Sequence, residues 1–192
     1  MTQDISLLNT VIGPVMRGPS SSHSAAPYMI GRTVRELALA PGEQIRSVQI
    51  CFDPSGSFAE VYSNQGSDEG FAAGLLGVEI TSEAYKQALG LLQRGEAFQF
   101  HIQVCSLDRN EHPNRVDIRV EVQCAQGALR ADVFEGVSLG GGTFLVTYLN
   151  GWQINVDGSA YTLIIEHDPM DFETISNCLE SPQILDKLSL DG

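Results

Sequence analysis

At 192 residues, 43% hydrophobic and 18% charged, the chain has the makeup of a soluble folded domain, long enough to bury a core without disulfides or metal. Its net charge of −13, from 24 acidic and 11 basic side chains, repels phosphate backbones and excludes a nucleic-acid surface. No apolar run approaches the roughly 18 residues that cross a bilayer, and Met1-Thr-Gln-Asp-Ile-Ser lacks the basic start of a signal peptide, so no membrane partner and a cytoplasmic location are expected.

Leu7 to Met16 is an apolar lead-in broken by Gly13-Pro14, followed by the turn-forming run Gly18-Pro19-Ser20-Ser21-Ser22-His23-Ser24. The serines are good N-caps for a helix predicted from about Ala25 to Ala40, with Met29, Ile30, Val34 and Leu37 on its core face and Pro41-Gly42 as its stop. Val48, Ile50 and Phe52 alternate as a strand, ended by Asp53-Pro54-Ser55-Gly56. A short helix is predicted from Ser57 to Ser63. A second is capped by Ser67-Asp68 and runs through Leu76, and a third covers Ser82 to Arg94. Phe98 to Val104 and Val116 to Val122 show the period of two that marks strands. Gln126-Gly127 is read as a hairpin turn with a return strand from Leu129 to Val137, interrupted at Ser138-Leu-Gly-Gly-Gly142 before extended structure resumes over Phe144 to Leu149. Beyond the Asn150-Gly151 turn, a strand is predicted from Tyr161 to Glu166, and Asp168-Pro169 opens a final helix. Helices grouped early and strands grouped late imply a two-layer α+β domain, with a mainly antiparallel sheet and helices on one side. Residues 1–158 form this domain in the reading, and 159–192 a short strand–helix appendage.

The four cysteines, at 51, 105, 124 and 178, show no CxxC or CxC spacing, so no metal site is expected in this chain. Cys51, Cys105 and Cys124 sit in alternating apolar segments, where buried inert thiols are expected. An acidic chain gains no long-range steering of an anionic ligand, which must then be held by local donors. Gly18 to Ser24 offers such donors: a helix start with free NH groups, the hydroxyls of Ser20, Ser21 and Ser22, and the titratable His23. Capping alone explains one serine, not three and a histidine. Gln65-Gly66-Ser67-Asp68 precedes another helix, where capping is the simpler reading. Gly140 and Gly141, within the three-glycine run, allow close backbone approach to a ligand or merely a bulge. His101 is expected to be exposed, with His112 and His167 as loop and strand-end residues.

Taken together these residues resemble the β chain of iron–sulfur L-serine dehydratases. The likeness begins at Ile12-Gly-Pro-Val-Met-Arg-Gly-Pro-Ser-Ser-Ser-His-Ser24, where Ser24 replaces the usual threonine. It continues at Gly56-Ser-Phe-Ala-Glu-Val-Tyr62, Gly74-Leu-Leu76, His112-Pro-Asn114 and Ser138-Leu-Gly-Gly-Gly142. The resemblance implies a domain like the serine-binding domain of that family and of some phosphoglycerate dehydrogenases. It also implies a partner α subunit whose cysteines hold a [4Fe–4S] cluster, with homodimerisation a further possibility. The implied activity is a lyase reaction that removes water from L-serine, or a related hydroxy or thiol amino acid, to give pyruvate and ammonia, with this chain inactive alone. His23 and Asp68 would be catalytic, and Ser20, Ser21, Ser22, Gln65, Ser67, Gly140 and Gly141 would bind substrate.

At Gln65 the family pattern has histidine. Glutamine forms hydrogen bonds but exchanges no proton near neutral pH, so that departure implies another base, another substrate or lost activity. The alternative reading is therefore a non-catalytic subunit that binds a small amino acid or hydroxy acid as a regulatory signal. The C-terminal segment resembles the opening strand of an ACT regulatory domain, but the 32 residues from Tyr161 to Gly192 make about half of one.

Overall fold

A computed structural model describes residues 15–108, 112–165, 171, 174–175 and 177. The chain divides into two compact units, residues 1–160 and 161–192. In the first, a π-helical turn (Ser21–Ala25) runs directly into helix α1 (Ala26–Ala38). Strand β1 (Gln44–Phe52) follows, then helices α2 (Ser57–Val61), α3 (Ser67–Leu76) and α4 (Tyr85–Gln93). Strands β2 (Gln99–Val104), β3 (Arg115–Gln123), β4 (Leu129–Gly140), β5 (Thr143–Leu149) and β6 (Trp152–Val156) complete the unit.

The six strands form one sheet in the order β2-β1-β3-β4-β5-β6. Every pair is antiparallel except β1 with β2, which is parallel. The exception follows from the connection. The chain leaves β1 through three helices instead of a hairpin, and a long crossover returns it in the same direction. The architecture is the expected two-layer α+β domain. Val48 pairs with Val120 and Ile50 with Ile118 on the buried face, while Gln49 and Arg119 pair on the exposed one. The period of two in β1 and β3 thus separates a helix-covered face from a wet one.

Helices α1 and α3 meet backbone to backbone. A Cβ on Gly74 would stand 2.3 Å from the Tyr28 carbonyl oxygen, and one on Gly70 would stand 2.6 Å from that of Ser24. Glycine at position 70 lets α3 lie directly against the π-turn, and Gly74, in the Gly74-Leu-Leu motif, lets it pass backbone to backbone along α1.

Several local expectations are corrected. The helix predicted from Ala25 begins with a π-turn, and no side chain caps it. The residue before α3 is Gly66 in the left-handed region, φ 80°, so Ser67 lies inside the helix instead of capping it. The interruption expected over Ser138 to Gly142 takes the form of a register shift between Ser138 and Gly140, near the end of β4, followed by a turn at Gly141-Gly142, both with positive φ, as a tight hairpin requires. Strand β6 was not anticipated from sequence. In the second unit residues 161–165 belong to no strand, contrary to the strand predicted there. Glu166, Asp168 and Pro169 lie outside the described residues, and 174, 175 and 177 are helical.

Cys51 and Cys105 are joined by a disulfide, which corrects the expectation of two inert thiols. The unforeseen parallel pairing is the reason. The Cys105 amide donates to the Phe52 carbonyl at 2.9 Å, extending the β1–β2 ladder past Val104 and bringing the Cys105 Cα within 6.0 Å of that of Cys51. Cys124 is a half-buried free thiol. No helix among the described residues is long and apolar enough to cross a membrane.

Candidate functional site

Because β1, β3 and β4 alternate in direction, the end of β1, the start of β3 and the end of β4 share one edge of the sheet. The segments that follow or precede them are Gly56-Ser57-Phe58, His112-Pro113-Asn114 and Ser138 to Gly142. Motifs far apart in sequence therefore converge, and the π-turn with His23 lies among them. A Cβ on Gly56 would come within 2.8 Å of the Pro113 carbonyl, which accepts the Ser57 amide at 2.9 Å. That approach seats Ser57 against the loop before β3.

The π-turn is held from three sides by hydroxyls. Ser24 donates to the Ser20 carbonyl at 2.6 Å, Ser138 to the Ser22 carbonyl at 3.1 Å and Ser67 to the His23 carbonyl at 2.7 Å. Each of these serines is 0% exposed. A π-turn spaces its backbone bonds differently from an α-helix and recurs at functional sites. Here buried hydroxyls satisfy its carbonyls, which would otherwise be costly to bury.

His23 is half-buried, and the edge of its ring meets the fully buried Phe58 with centroids 5.1 Å apart. Its Nδ1 lies 3.0 Å from the Ser22 hydroxyl and 3.2 Å from that of Ser20, and those two oxygens are 3.1 Å apart. Its Nε2 lies 3.4 Å from the Ser57 hydroxyl. Burial pushes the imidazole below its ordinary value of 6.5, against a smaller upward pull from a backbone hydrogen bond with Ser57. The neutral ring is favoured.

Asp68, the second residue of α3, is buried and accepts the Glu69 amide at 2.9 Å. Burial raises its carboxyl above the ordinary 3.8, and bonds from the Glu69 amide and the Ser63 side chain partly oppose the shift. Ser67 directs its hydroxyl to His23. Gln65 is half-buried in the turn before α3, its carbonyl oxygen 3.5 Å from where a Cβ on Gly18 would stand. The Gln65 backbone amide donates to the Val61 carbonyl at 2.9 Å, whereas the Ser21 hydroxyl and the Gln65 side-chain amide make no hydrogen bond among the described residues. Gly140 and Gly141 sit at the β4–β5 turn, with nothing within 4 Å of a Cβ built on either.

The structure thus brings Ser20, Ser22 and Ser67 directly onto His23, and Gln65 and Asp68 into the adjoining helix start. No bond joins Asp68 to His23. Sequence reading missed Ser24, Ser57, Asn114 and Ser138 as parts of the site. All four lay in the motifs already singled out, but their meeting depends on strand register. Two open hollows, about 370 Å³ beside Arg46, Phe98 and Glu121 and about 240 Å³ beside His112 and Thr147, do not include His23.

No protein-family model matches the chain. It is 33% identical over 159 residues to the "Probable L-serine dehydratase, beta chain" of Bacillus subtilis (strain 168), an alignment covering 82% of this chain and 66% of that protein. The chain belongs to the L-serine dehydratase β-chain family. A second relative, the "L-serine dehydratase, beta chain" of Peptoniphilus asaccharolyticus, is 28% identical over 157 residues, again 82% of this chain and 66% of the relative. The chain therefore spans just under two thirds of the length of these family members.

The resemblance implies a [4Fe–4S] cluster. Among the described residues no group of three or more His, Cys, Asp or Glu is placed to hold a metal ion. Cys51 and Cys105 are bonded to each other, Cys124 stands apart and Cys178 lies outside the described residues. The donor set described for this chain does not fit a cluster.

Proposed function

We propose that this chain supplies one half of an L-serine dehydratase active site, with His23 as its proton-transferring group and a partner chain carrying the iron–sulfur cluster. The observation that carries the reading is His23 itself. Its imidazole is half-buried and biased toward the neutral form, backed by Phe58, with two serine hydroxyls at Nδ1 and the Ser57 hydroxyl at Nε2. A half-buried imidazole outside either hollow suits a site that a second chain completes.

Elimination of water from serine removes a proton from Cα and delivers one to the departing hydroxyl. A neutral imidazole can take the first and, as imidazolium, return it, so the protein ends unchanged. Ser20 and Ser22 can donate hydrogen bonds to a substrate carboxylate, which the chain's acidity leaves dependent on such local donors. Asp68, in the adjoining helix start and with its carboxyl raised by burial, is the second group that we assign to proton exchange. The released aminoacrylate would decay to pyruvate and ammonia.

To test this, the chain is purified without oxygen together with a cluster-bearing partner, and pyruvate release from L-serine is measured for the complex and for each chain alone. The reading expects activity only in the complex. A complex that forms, carries its cluster and releases no pyruvate would sink it.

Gln65 favours a second reading, because an amide at that place binds but does not exchange protons. In that reading the site holds a small amino acid or hydroxy acid as a signal. Calorimetric titration of the full chain with L-serine distinguishes the two: binding by this chain alone, beside an inert complex, would select the regulatory role.

A further inference from the structure

We infer that Asn114 is a positioning residue that, acting through Ser57, sets the tautomer of His23 and leaves Nδ1 as the basic nitrogen of the site. The inference rests on the reading of His23 as the proton-transferring group and deepens it.

The Ser138 backbone carbonyl can only accept, and the Asn114 side chain lies 3.2 Å from it. The amide must therefore present Nδ2 to Ser138 and turn Oδ1 the other way, toward the Ser57 hydroxyl, which donates to it. Ser57 has a single hydroxyl proton. With that proton committed to Asn114, its oxygen offers only lone pairs to His23 Nε2, 3.4 Å away. The contact is a hydrogen bond only if Nε2 carries the hydrogen. A neutral imidazole has one N–H, so Nδ1 holds the free lone pair. Facing Nδ1 are the hydroxyls of Ser22 at 3.0 Å and Ser20 at 3.2 Å, rotors able to donate to it.

The bonds close into a ring. Ser138 accepts from Asn114 through its carbonyl and donates through its hydroxyl to the Ser22 carbonyl. Ser22 reaches Nδ1, Nε2 reaches Ser57, and Ser57 returns to Asn114. Asn114 is itself anchored: its amide donates to His112 Nδ1 at 3.1 Å, and its carbonyl accepts the Ser138 amide at 3.2 Å. The opposite tautomer would set two lone pairs against each other at Ser57, or force Ser57 to abandon Asn114. With Nδ1 basic, a proton given to Ser22 Oγ releases that hydroxyl's own proton to the ring. The serine is regenerated and the charge rests on the imidazole.

The test is long-range proton–nitrogen correlation NMR on the full chain with ¹⁵N-labelled histidine, at a pH above 6.5, where His23 is neutral. The expected spectrum shows His23 Nε2 as the protonated nitrogen and Nδ1 as the bare one. A wild-type spectrum with Nδ1 protonated overturns the inference. Asn114→Ala and Ser57→Ala should each give averaged nitrogen shifts, the mark of a tautomer no longer fixed, whereas two folded variants with the wild-type pattern overturn it. In the cluster-bearing complex, Asn114→Ala should lower kcat about tenfold, a part of the roughly 10²–10⁴-fold that a general acid–base group contributes, and leave the KM for L-serine nearly unchanged. A change confined to KM counts against the assignment. The two readings fail separately. A complex that never makes pyruvate from L-serine refutes the dehydratase role and leaves the tautomer standing; a protonated Nδ1 does the reverse.

Discussion

In the middle of the sheet, Val48, Ile50, Ile118 and Val120 are 0% exposed and meet cross-strand partners of their own kind. At the end of the sheet the fully buried side chains include Ser24, Ser67 and Ser138, each bonded to a carbonyl of one turn. Both regions exclude water, but by different means. Apolar contact has no preferred direction and tolerates repacking of similar volume. A hydroxyl on a carbonyl fixes an angle and a distance. Stability should therefore reside mainly in the first region and the aim of His23 in the second.

The comparison can be broken by variants that separate the two properties. Ile118→Ala should have the largest effect on stability, about 2–5 kcal/mol in denaturant unfolding, while the His23 nitrogen shifts stay as in the parent chain. A shift there would mean that the core also sets the site. Ser138→Ala leaves the Ser22 carbonyl without its donor and should cost about 1 kcal/mol. Its His23 spectrum should nevertheless change more than that of Ile118→Ala, and the reverse order would dissolve the distinction. The smallest effect concerns Asp68. Burial lifts its carboxyl above the ordinary 3.8, so the folded chain retains a proton that the unfolded chain has released. Stability should fall as pH rises from about 3.8 through the raised folded value, and Asp68→Asn should remove that slope. Equal slopes for parent and variant in urea unfolding would show that its burial carries no electrostatic penalty.

Much of the sheet could be read from the sequence because β1 and β3 alternate, with Val48 and Ile50 facing Val120 and Ile118, while the Gln126-Gly127 turn marked the return into β4. Strand β6 escaped because Trp152-Gln-Ile-Asn-Val puts only Val156 into the buried layer, which gives periodicity little to detect. The parallel β1–β2 pair, and with it the Cys51–Cys105 bridge, depends on how three helices cross over, which no local pattern records. At the site, the run from Ser20 to His23 marked itself by composition. The π-turn did not, since serines before a helix look like caps until their neighbours' carbonyls are seen to need hydroxyls from Ser67 and Ser138. Asn114 was visible only as part of a motif, and its purpose emerges from the register that brings the start of β3 beside the end of β4.

The most direct test is the kcat/KM for L-serine of the cluster-bearing complex with His23→Ala in place of the parent chain. The account predicts a fall of at least about a hundredfold, the lower range for losing a general acid–base group, with the complex still assembled and its cluster intact. Parental activity in that variant would contradict the claim that this imidazole moves the proton.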